Sequence, residues 1–288
     1  MDISLSKQES RLGWKLIAPS IGIIGLLIVY PILYNIYLSF FDVKLTGDKF
    51  FIGIANYKRL AGDTAFYGSL LTTIVYLTGT VIGTTLVGLL VALLMNLQFP
   101  LRNAARAVIL LPYFAPVISV VFGWQFIFDP VNGIYNHVVV ELLRLTPQRH
   151  NLIGDPKTAL LVVIVFDIWK HFPISYLLII SKLQSINTEL YEAAAIDGCG
   201  PIARFFHITL PELYFVLGTL VILRLIWNLN KFEDVFLLAP NVHTLPIFTY
   251  YTAFTGIIDQ GLAATVSVFQ FLILSILIYF YVKKVLKW

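Results

Sequence analysis

Long apolar runs separated by short polar stretches set the pattern of this chain. They predict six membrane-spanning helices, at about 15–40, 69–96, 104–128, 158–181, 212–231 and 261–282. Each is near the roughly 20 residues that cross a hydrocarbon core about 30 Å thick, with some excess for tilt. Helices are required because lipid satisfies no stray backbone groups, and the runs are too long and continuous for barrel strands. A soluble chain of this length would carry amphipathic stripes, and this one mostly does not. Pro19, Pro31, Pro112, Pro116 and Pro173 fall inside the predicted spans and predict kinks.

The polar stretches give the topology. Lys7, Arg11 and Lys15 precede the first run, and Lys283, Lys284 and Lys287 follow the last. Six crossings put both ends on one side, and the positive-inside rule makes that side cytoplasmic. Arg102, Arg106 and the 182–211 stretch then also face the cytoplasm, while 41–68, 129–157 and 232–260 lie outside. Against this, the first external loop holds Lys44, Lys49, Lys58 and Arg59. The middle loop opens on a turn, Asp129-Pro130-Val131-Asn132-Gly133, after which Ile134 to Leu145 reads as a short interfacial helix. No loop is large enough for an extra domain. The expectation is an all-α polytopic membrane protein, with residues 1–288 forming a single transmembrane domain.

Composition agrees. The chain is 58% hydrophobic and 12% charged, with a mean hydropathy of +0.84, where a soluble domain is about one quarter charged. The net charge of +4 is small and sits in the flanks, so it reads as membrane orientation and argues against nucleic-acid binding. Cys199 is the single cysteine, which rules out an internal disulfide. The first apolar run is too long for a cleavable signal peptide, and no small-residue cleavage site follows it.

Between the fourth and fifth runs lies a polar hairpin, about 185–211. Asn187 or Thr188 is a plausible N-cap for a helix through Glu192, Ala193, Ala194 and Ala195. Asp197-Gly198 stops it, Gly200-Pro201 starts a second short helix, and Pro211 marks re-entry toward the membrane. Two short helices at an angle are expected. Small alanines allow close approach of another protein, and Glu192 and Asp197 offer orienting charges. The bland alternative is an ordinary amphipathic turn.

The hairpin matches, at every fixed position, the EAA loop (EAA, three residues, Gly, nine residues, Ile-x-Leu-Pro) of inner-membrane permeases of binding-protein-dependent ABC importers. Tyr30-Pro31, Leu38-Ser39-Phe40, Gly53, Asn56-Tyr57, Leu111-Pro112, Phe128-Asp129-Pro130 with Gly133 and Asn136, and Trp169 before Pro173 resemble the carbohydrate branch of that family. So does Trp227 to Phe232. The likeness runs from about 15 to 285 and is nearest to the first permease subunit of maltose-type and glycerol-phosphate-type importers. One departure is Leu238-Ala239-Pro240-Asn241, where a Gly-Gly-Pro turn is often found. The resemblance implies that Glu192, Ala193, Ala194, Asp197, Gly198, Ile208, Leu210 and Pro211 couple to an ATPase. It also implies partners: a second homologous permease, two ATP-binding subunits and an extracytoplasmic solute-binding protein, around a chain set in the cytoplasmic membrane. ATP and Mg would be held by those ATPase subunits, since no Gly-x-x-x-x-Gly-Lys-Ser/Thr loop and no Cys/His metal cluster occurs here.

Polar and aromatic residues in the fourth and fifth spans are where a transport site is expected. Asp167, Trp169, Lys170, His171 and Tyr176 lie on one, and Arg224, Trp227, Asn228, Asn230 and Lys231 on the other. The resemblance carries sugar contacts onto His171, Ile174, Arg224, Trp227, Asn228 and Lys231. Trp227 and Tyr176 are equally readable as packing or interface-belt residues. Asp167 and Lys170, three apart on a helix, read as neutralising each other. Arg224 is too deep to snorkel, and an ion pair and a substrate contact both stay open. The reading is an importer permease for a di- or oligosaccharide working by alternating access. An importer of glycerol phosphate or another anionic glycoside is the alternative, favoured by Arg224, His171 and Lys231. A secondary transporter or membrane-embedded enzyme is the competing class. The hairpin argues against the first, and the scattered His137, His150, His171, His207 and His243 against the second.

Overall fold

The computed structural model describes residues 2–43 and 47–284; Lys44 and Lys287, and the side chains of Lys7 and Lys284, lie outside the described residues. The described residues are mostly helical, with loops and one short strand pair. Among the described residues five helices are long and apolar enough to cross a membrane, and a sixth candidate is a bent pair. By contact the chain divides into two compact units, Met1–Thr64 with Thr249–Leu272, and Ala65–Phe248 with Ile273–Trp288.

In the first unit, α1 (Asp2–Ile24) runs through a π turn, Gly25–Val29, into α2 (Tyr30–Leu38). The turn explains how the helix carries Pro31. A proline ring collides with the carbonyl of the residue four before it. Here Tyr30 N–H bonds the carbonyl of Gly25, five residues back, which widens the turn just before the proline. Strands β1 (Phe41–Val43) and β2 (Lys49–Phe51) pair antiparallel, with Phe41 opposite Phe51. Asn56, on α3 (Ala55–Ala61), is fully buried and donates to the carbonyls of Ser39 (3.1 Å) and Phe41 (3.0 Å). The Tyr57 hydroxyl meets Ser39 Oγ at 2.8 Å. The Ser39-Phe40 and Asn56-Tyr57 pairs therefore form one latch. Arg59 closes the unit with an ion pair to Asp259 at 2.8 Å.

The second unit is built on α4 (Thr64–Asn96) packed against α8 (Pro156–Ser185). Gly79, Gly83 and Gly88 let the two backbones approach. A β-carbon at Gly79 would lie 3.1 Å from Ile164, and one at Gly83 would run into Ile168. Small residues serve this purpose between membrane helices, where there is no hydrophobic effect to draw helices together. The same helix buries Thr73, Tyr76, Thr80 and Thr84 at helical spacing.

The predicted third span is not one straight helix. It is α5 (Arg102–Phe114) and α6 (Val117–Ile127), bent by 94°. The break is at Ala115, which is extended (φ −68°, ψ 136°) because the proline after it disfavours the helical basin. Pro19, Pro112 and Pro173, in contrast, lie inside unbroken helices.

In the following loop Asp129 Oδ1 accepts from Val131 N (2.9 Å) and Asn132 N (2.6 Å), an Asx turn. Buried Asn136 donates to the His150 carbonyl at 2.8 Å and accepts from His150 N at 2.8 Å. The short helix there, α7 (Ile134–Asn136) continued by a π turn over His137–Leu142, stops short of Leu145.

The hairpin departs from expectation in its second half. Helix α9 (Thr188–Ile196) starts on Asn187, whose side chain accepts from Glu189 N at 3.0 Å. It ends in a Schellman motif: Cys199 N bonds Ala194 O (2.8 Å), Gly198 N bonds Ala195 O (3.1 Å), and Gly198 takes φ +78°. No separate second short helix follows. Instead α10 (Pro201–Arg204), a π turn (Phe205–Thr209) and α11 (Leu210–Leu229) run on as one rod into the membrane. Leu210 N–H bonds Phe205 O, the same five-residue step that precedes Pro31, so Pro211 is absorbed without a break.

Beyond α11, α12 (Glu233–Leu238) and α13 (Leu245–Phe254) are short. The last helix, α14 (Gln260–Lys284), begins where Asp259 Oδ1 accepts from Leu262 N at 2.8 Å.

Candidate functional site

A cleft of about 590 Å³ opens between the middle of α8 and the end of α11 away from the hairpin, walled also by the α5–α6 bend and the start of α12. Tyr113, Trp227 and Phe232 supply its aromatic surface, Lys170, Lys231, Glu233 and Asp234 its charge, and His171 an imidazole beside them. Trp227 is 45% exposed. Tyr113 meets the His171 ring edge-on at 6.3 Å.

Behind the cleft the charged groups form a linked chain. His171 Nδ1 lies 3.0 Å from Asp167 Oδ1, one turn earlier on α8. Its other nitrogen, Nε2, lies 3.1 Å from Lys231 Nζ. An ammonium has only protons to give, so Nε2 accepts and Nδ1 carries the ring proton toward Asp167. Lys231 Nζ also sits 2.8 Å from Asp234 Oδ2, and Lys170 Nζ reaches Asp234 Oδ1 at 3.6 Å. Asp167 and Lys170 thus do not neutralise each other as their spacing suggested: each turns to a partner on another element.

Arg224 and Asn228 sit deeper. Arg224 is 1% exposed, with Nη2 3.9 Å from Asp167 Oδ2 and Nε 3.4 Å from Thr84 Oγ1. Asn228, 2% exposed, donates to Thr80 Oγ1 (2.8 Å) and Asp167 Oδ2 (3.2 Å). Tyr76 adds a hydroxyl 3.3 Å from Asp167 Oδ1. A buried carboxylate in a membrane protein needs such company. Of the six residues singled out in sequence for substrate contact, His171, Trp227 and Lys231 line the cleft. Half-buried Ile174 and the buried Arg224 and Asn228 do not. Asp234 and Tyr113 were missed. A carboxylate three residues beyond Lys231 was the available signal for Asp234; nothing in the local pattern marked Tyr113.

The ligand atoms of Asp167, His171 and Asp234 lie within 4.8 Å of one another, close enough to share a metal ion. Lys231 already brings its positive charge to both His171 and Asp234. The ammonium occupies the electrostatic role that a cation would take.

At the other end of α8 and α11, Glu192, Ala193, Asp197 and Gly198 are exposed on α9 and its cap, and Ala194 is half-buried. Ile208 packs on the core formed by Tyr176, Ile179, Leu183 and Leu213. Leu210 is half-buried and Pro211 exposed. Tyr191 OH meets Thr209 Oγ1 at 2.9 Å, tying α9 to the α10–α11 rod, and Lys182 pairs with Glu212 at 2.8 Å, tying that rod to α8. Ile196 and Ile202 are strongly exposed beside the cap.

Residues 84–286 match the family described as binding-protein-dependent transport system inner membrane component. The chain belongs to this family. It is a multi-pass ABC transporter permease subunit, a transport component rather than an enzyme. It is 39% identical over 272 residues to the inner membrane ABC transporter permease protein YcjO of Escherichia coli (strain K12), covering 94% of this chain and 92% of that protein. It is 30% identical over 287 residues to the trehalose/maltose transport system permease protein MalF of Thermococcus litoralis, covering 97% and 95%. Its fold is similar to a chain of a bacterial alginate ABC transporter solved in complex with an alginate pentasaccharide-bound periplasmic protein. There the TM-score is 0.82 at 21% identity, over 95% of this chain and 93% of that one.

Proposed function

We propose that this permease imports a sugar, a di- or oligosaccharide, through the cleft between the middle of α8 and the outer end of α11. The observation that carries the reading is the half-exposed Trp227 ring beside Lys231 and His171. An aromatic face suits the C–H face of a sugar ring, and fixed polar groups around it suit hydroxyls. The trehalose/maltose name of the Thermococcus relative supports the same class.

In this reading His171, Trp227 and Lys231 touch the sugar, while Arg224 and Asn228 hold Asp167 and so keep His171 in place. The exposed face of α9, with Glu192, Ala193, Asp197, Gly198 and the neighbouring Ile196 and Ile202, receives a cytoplasmic ATPase. The complex contains a second homologous permease, two ATPase subunits that bind ATP and Mg, and an extracytoplasmic solute-binding protein. Residues 1–288 act as one transmembrane domain with both termini cytoplasmic. Alternating access follows from the two rods. A push at the hairpin is transmitted along α8 and the α10–α11 rod, and the cleft between them opens outward or inward.

The test is uptake of a radiolabelled disaccharide by proteoliposomes holding the assembled importer and its binding protein. ATP-dependent uptake that disappears when this chain is omitted supports the reading. Uptake of amino acids or peptides in place of any sugar would overturn it.

A further inference from the structure

The end of α4 and the start of α5 form an elbow on the hairpin side of the second unit, where Met95 packs on the core that also takes Tyr191 and Ile208. Two cations meet there. Arg102 Nε donates to the Met95 carbonyl at 2.8 Å, and Arg106 Nη2 donates to the same oxygen at 3.0 Å. One shared acceptor holds the two half-buried guanidinium groups side by side, one turn apart on α5. Neither makes an ion pair among the described residues, so their repulsion is offset only by the partial charge of a carbonyl. Both have donors to spare: Arg106 Nε is buried without a hydrogen-bond partner, and Arg102 bonds only through Nε.

Arg102 also lines a surface cavity of about 390 Å³, with Gln98, Phe99, Leu101 and Asn103. Part of its wall is apolar and turned outward. Leu101 is 82% exposed and sits at φ +63°, a strained left-handed conformation for leucine. Such a side chain gains little from packing within this chain. Leu94 and Leu97, just before the elbow, are exposed as well. Paired cations beside outward-facing leucines, at the end of two membrane helices, are complementary to an anionic headgroup with its acyl chains.

We propose that Arg102, backed by Arg106, is a site for the phosphate of an anionic phospholipid in the cytoplasmic leaflet. The choice of leaflet rests on the orientation given above. The planar fork of Arg102 matches phosphate oxygens, and Arg106 adds a second positive charge behind it. Gln98 and Asn103 suit headgroup hydroxyls, and Leu97 and Leu101 suit the acyl chains. A zwitterionic lipid would bring its own cation toward two arginines, whereas an anionic one brings none. A free phosphate would gain from the arginines and nothing from the leucines. Helix α5 also carries Tyr113 to the cleft, so the lipid holds the far end of the element that forms one cleft wall.

Native mass spectrometry of the assembled importer in detergent, titrated with phosphatidylglycerol or phosphatidylethanolamine, tests the site. The wild type should hold phosphatidylglycerol about tenfold more tightly, the scale of a charge-assisted hydrogen bond. Arg102→Gln and Arg106→Gln should each remove most of that preference, and Arg102→Lys should keep part of it. Arg204→Gln, which removes a cation from α10 on the same side, should leave the preference unchanged. An equal loss in that variant would reduce the effect to net charge and overturn the site. Equal binding of the two lipids by the wild type, a comparison that needs no variant, would overturn it too, as would a preference that survives both glutamine variants. Displacement of phosphatidylglycerol by inorganic phosphate at equal concentration would assign the arginines to a free anion and sink the lipid. Binding in detergent does not depend on which way the chain faces, so failure here is distinct from an inverted orientation, which labelling of Cys199 reads.

Discussion

Lys231 Nζ lies 3.1 Å from Nε2 of His171, and the two residues come from different elements that both line the cleft. This contact ties the end of α11 to the middle of α8. It sets the imidazole tautomer, since a donor at Nε2 leaves the ring proton on Nδ1, 3.0 Å from Asp167. The cleft wall is thus ordered by buried groups that never reach it. Asp167, Arg224 and Asn228 set His171, and His171 with Asp234 sets Lys231.

Trp227→Ala should raise the sugar concentration needed for half-maximal uptake several-fold, because ring stacking contributes about 0.5–1.5 kcal/mol. The ring is 45% exposed, so the complex should still assemble in normal yield. Uptake kinetics together with size-exclusion yield check this. Unchanged kinetics would remove Trp227 from the pathway.

Arg224→Gln should act on stability instead. It strands Asp167 in a buried site, and breaking a buried pair costs roughly 3–5 kcal/mol. The expected result is a lower melting temperature of the purified complex and less protein in the membrane. Adding Asp167→Asn should recover part of the loss, because the stranded charge is then gone. A double variant no better than the single one would show that the two residues are not coupled.

Gly198→Val should uncouple ATP hydrolysis from transport. Valine at φ +78° is strained by about 1–3 kcal/mol, and relief of the strain must distort the Schellman cap that positions the exposed alanines. Binding-protein-stimulated ATPase activity and uptake are the readouts. Gly198→Asn, which tolerates the left-handed region better, should be the milder change. Equal, full activity in both would separate the cap from coupling.

Orientation can be read from the native cysteine. Cys199 is free and exposed on the hairpin. In intact cells a membrane-impermeant maleimide should leave it unlabelled, and permeabilisation should expose it. Asn132→Cys on a Cys199→Ser background should label without permeabilisation. Labelling of Cys199 from outside would invert the topology and move the ATPase contact to another surface.

Local chemistry was legible in the sequence. Five of the six apolar segments, the Asn187 cap, the Gly198 stop and the Asp129 turn each depend on a few neighbouring residues, and the structure holds them, with the third segment as a bent pair. Pro116 was expected to bend its span and does so at Ala115. Pro31 was also expected to bend its span, and Pro211 to mark a break at re-entry; neither does, because a π turn before each one accommodates the ring. Such a turn has no sequence signature, which is why α10 through α11 was read as two pieces.

Partner choice was not legible. Which face of a membrane helix is buried leaves little trace in hydropathy, since lipid and protein interior are both apolar. Asp167 and Lys170 are neighbours on α8, yet one pairs with Arg224 and His171 and the other with Asp234. Those pairings depend on how close α8 comes to α4, a distance decided by Gly79, Gly83 and Gly88 against Ile164, Ile168 and Ser175. The sequence by itself determined where the apolar segments lie and the first helix of the hairpin between two of them, with its cap and its stop. Only the packing of those helices decided which polar side chains hold the frame and which face the cleft, because that choice depends on contacts between residues far apart along the chain.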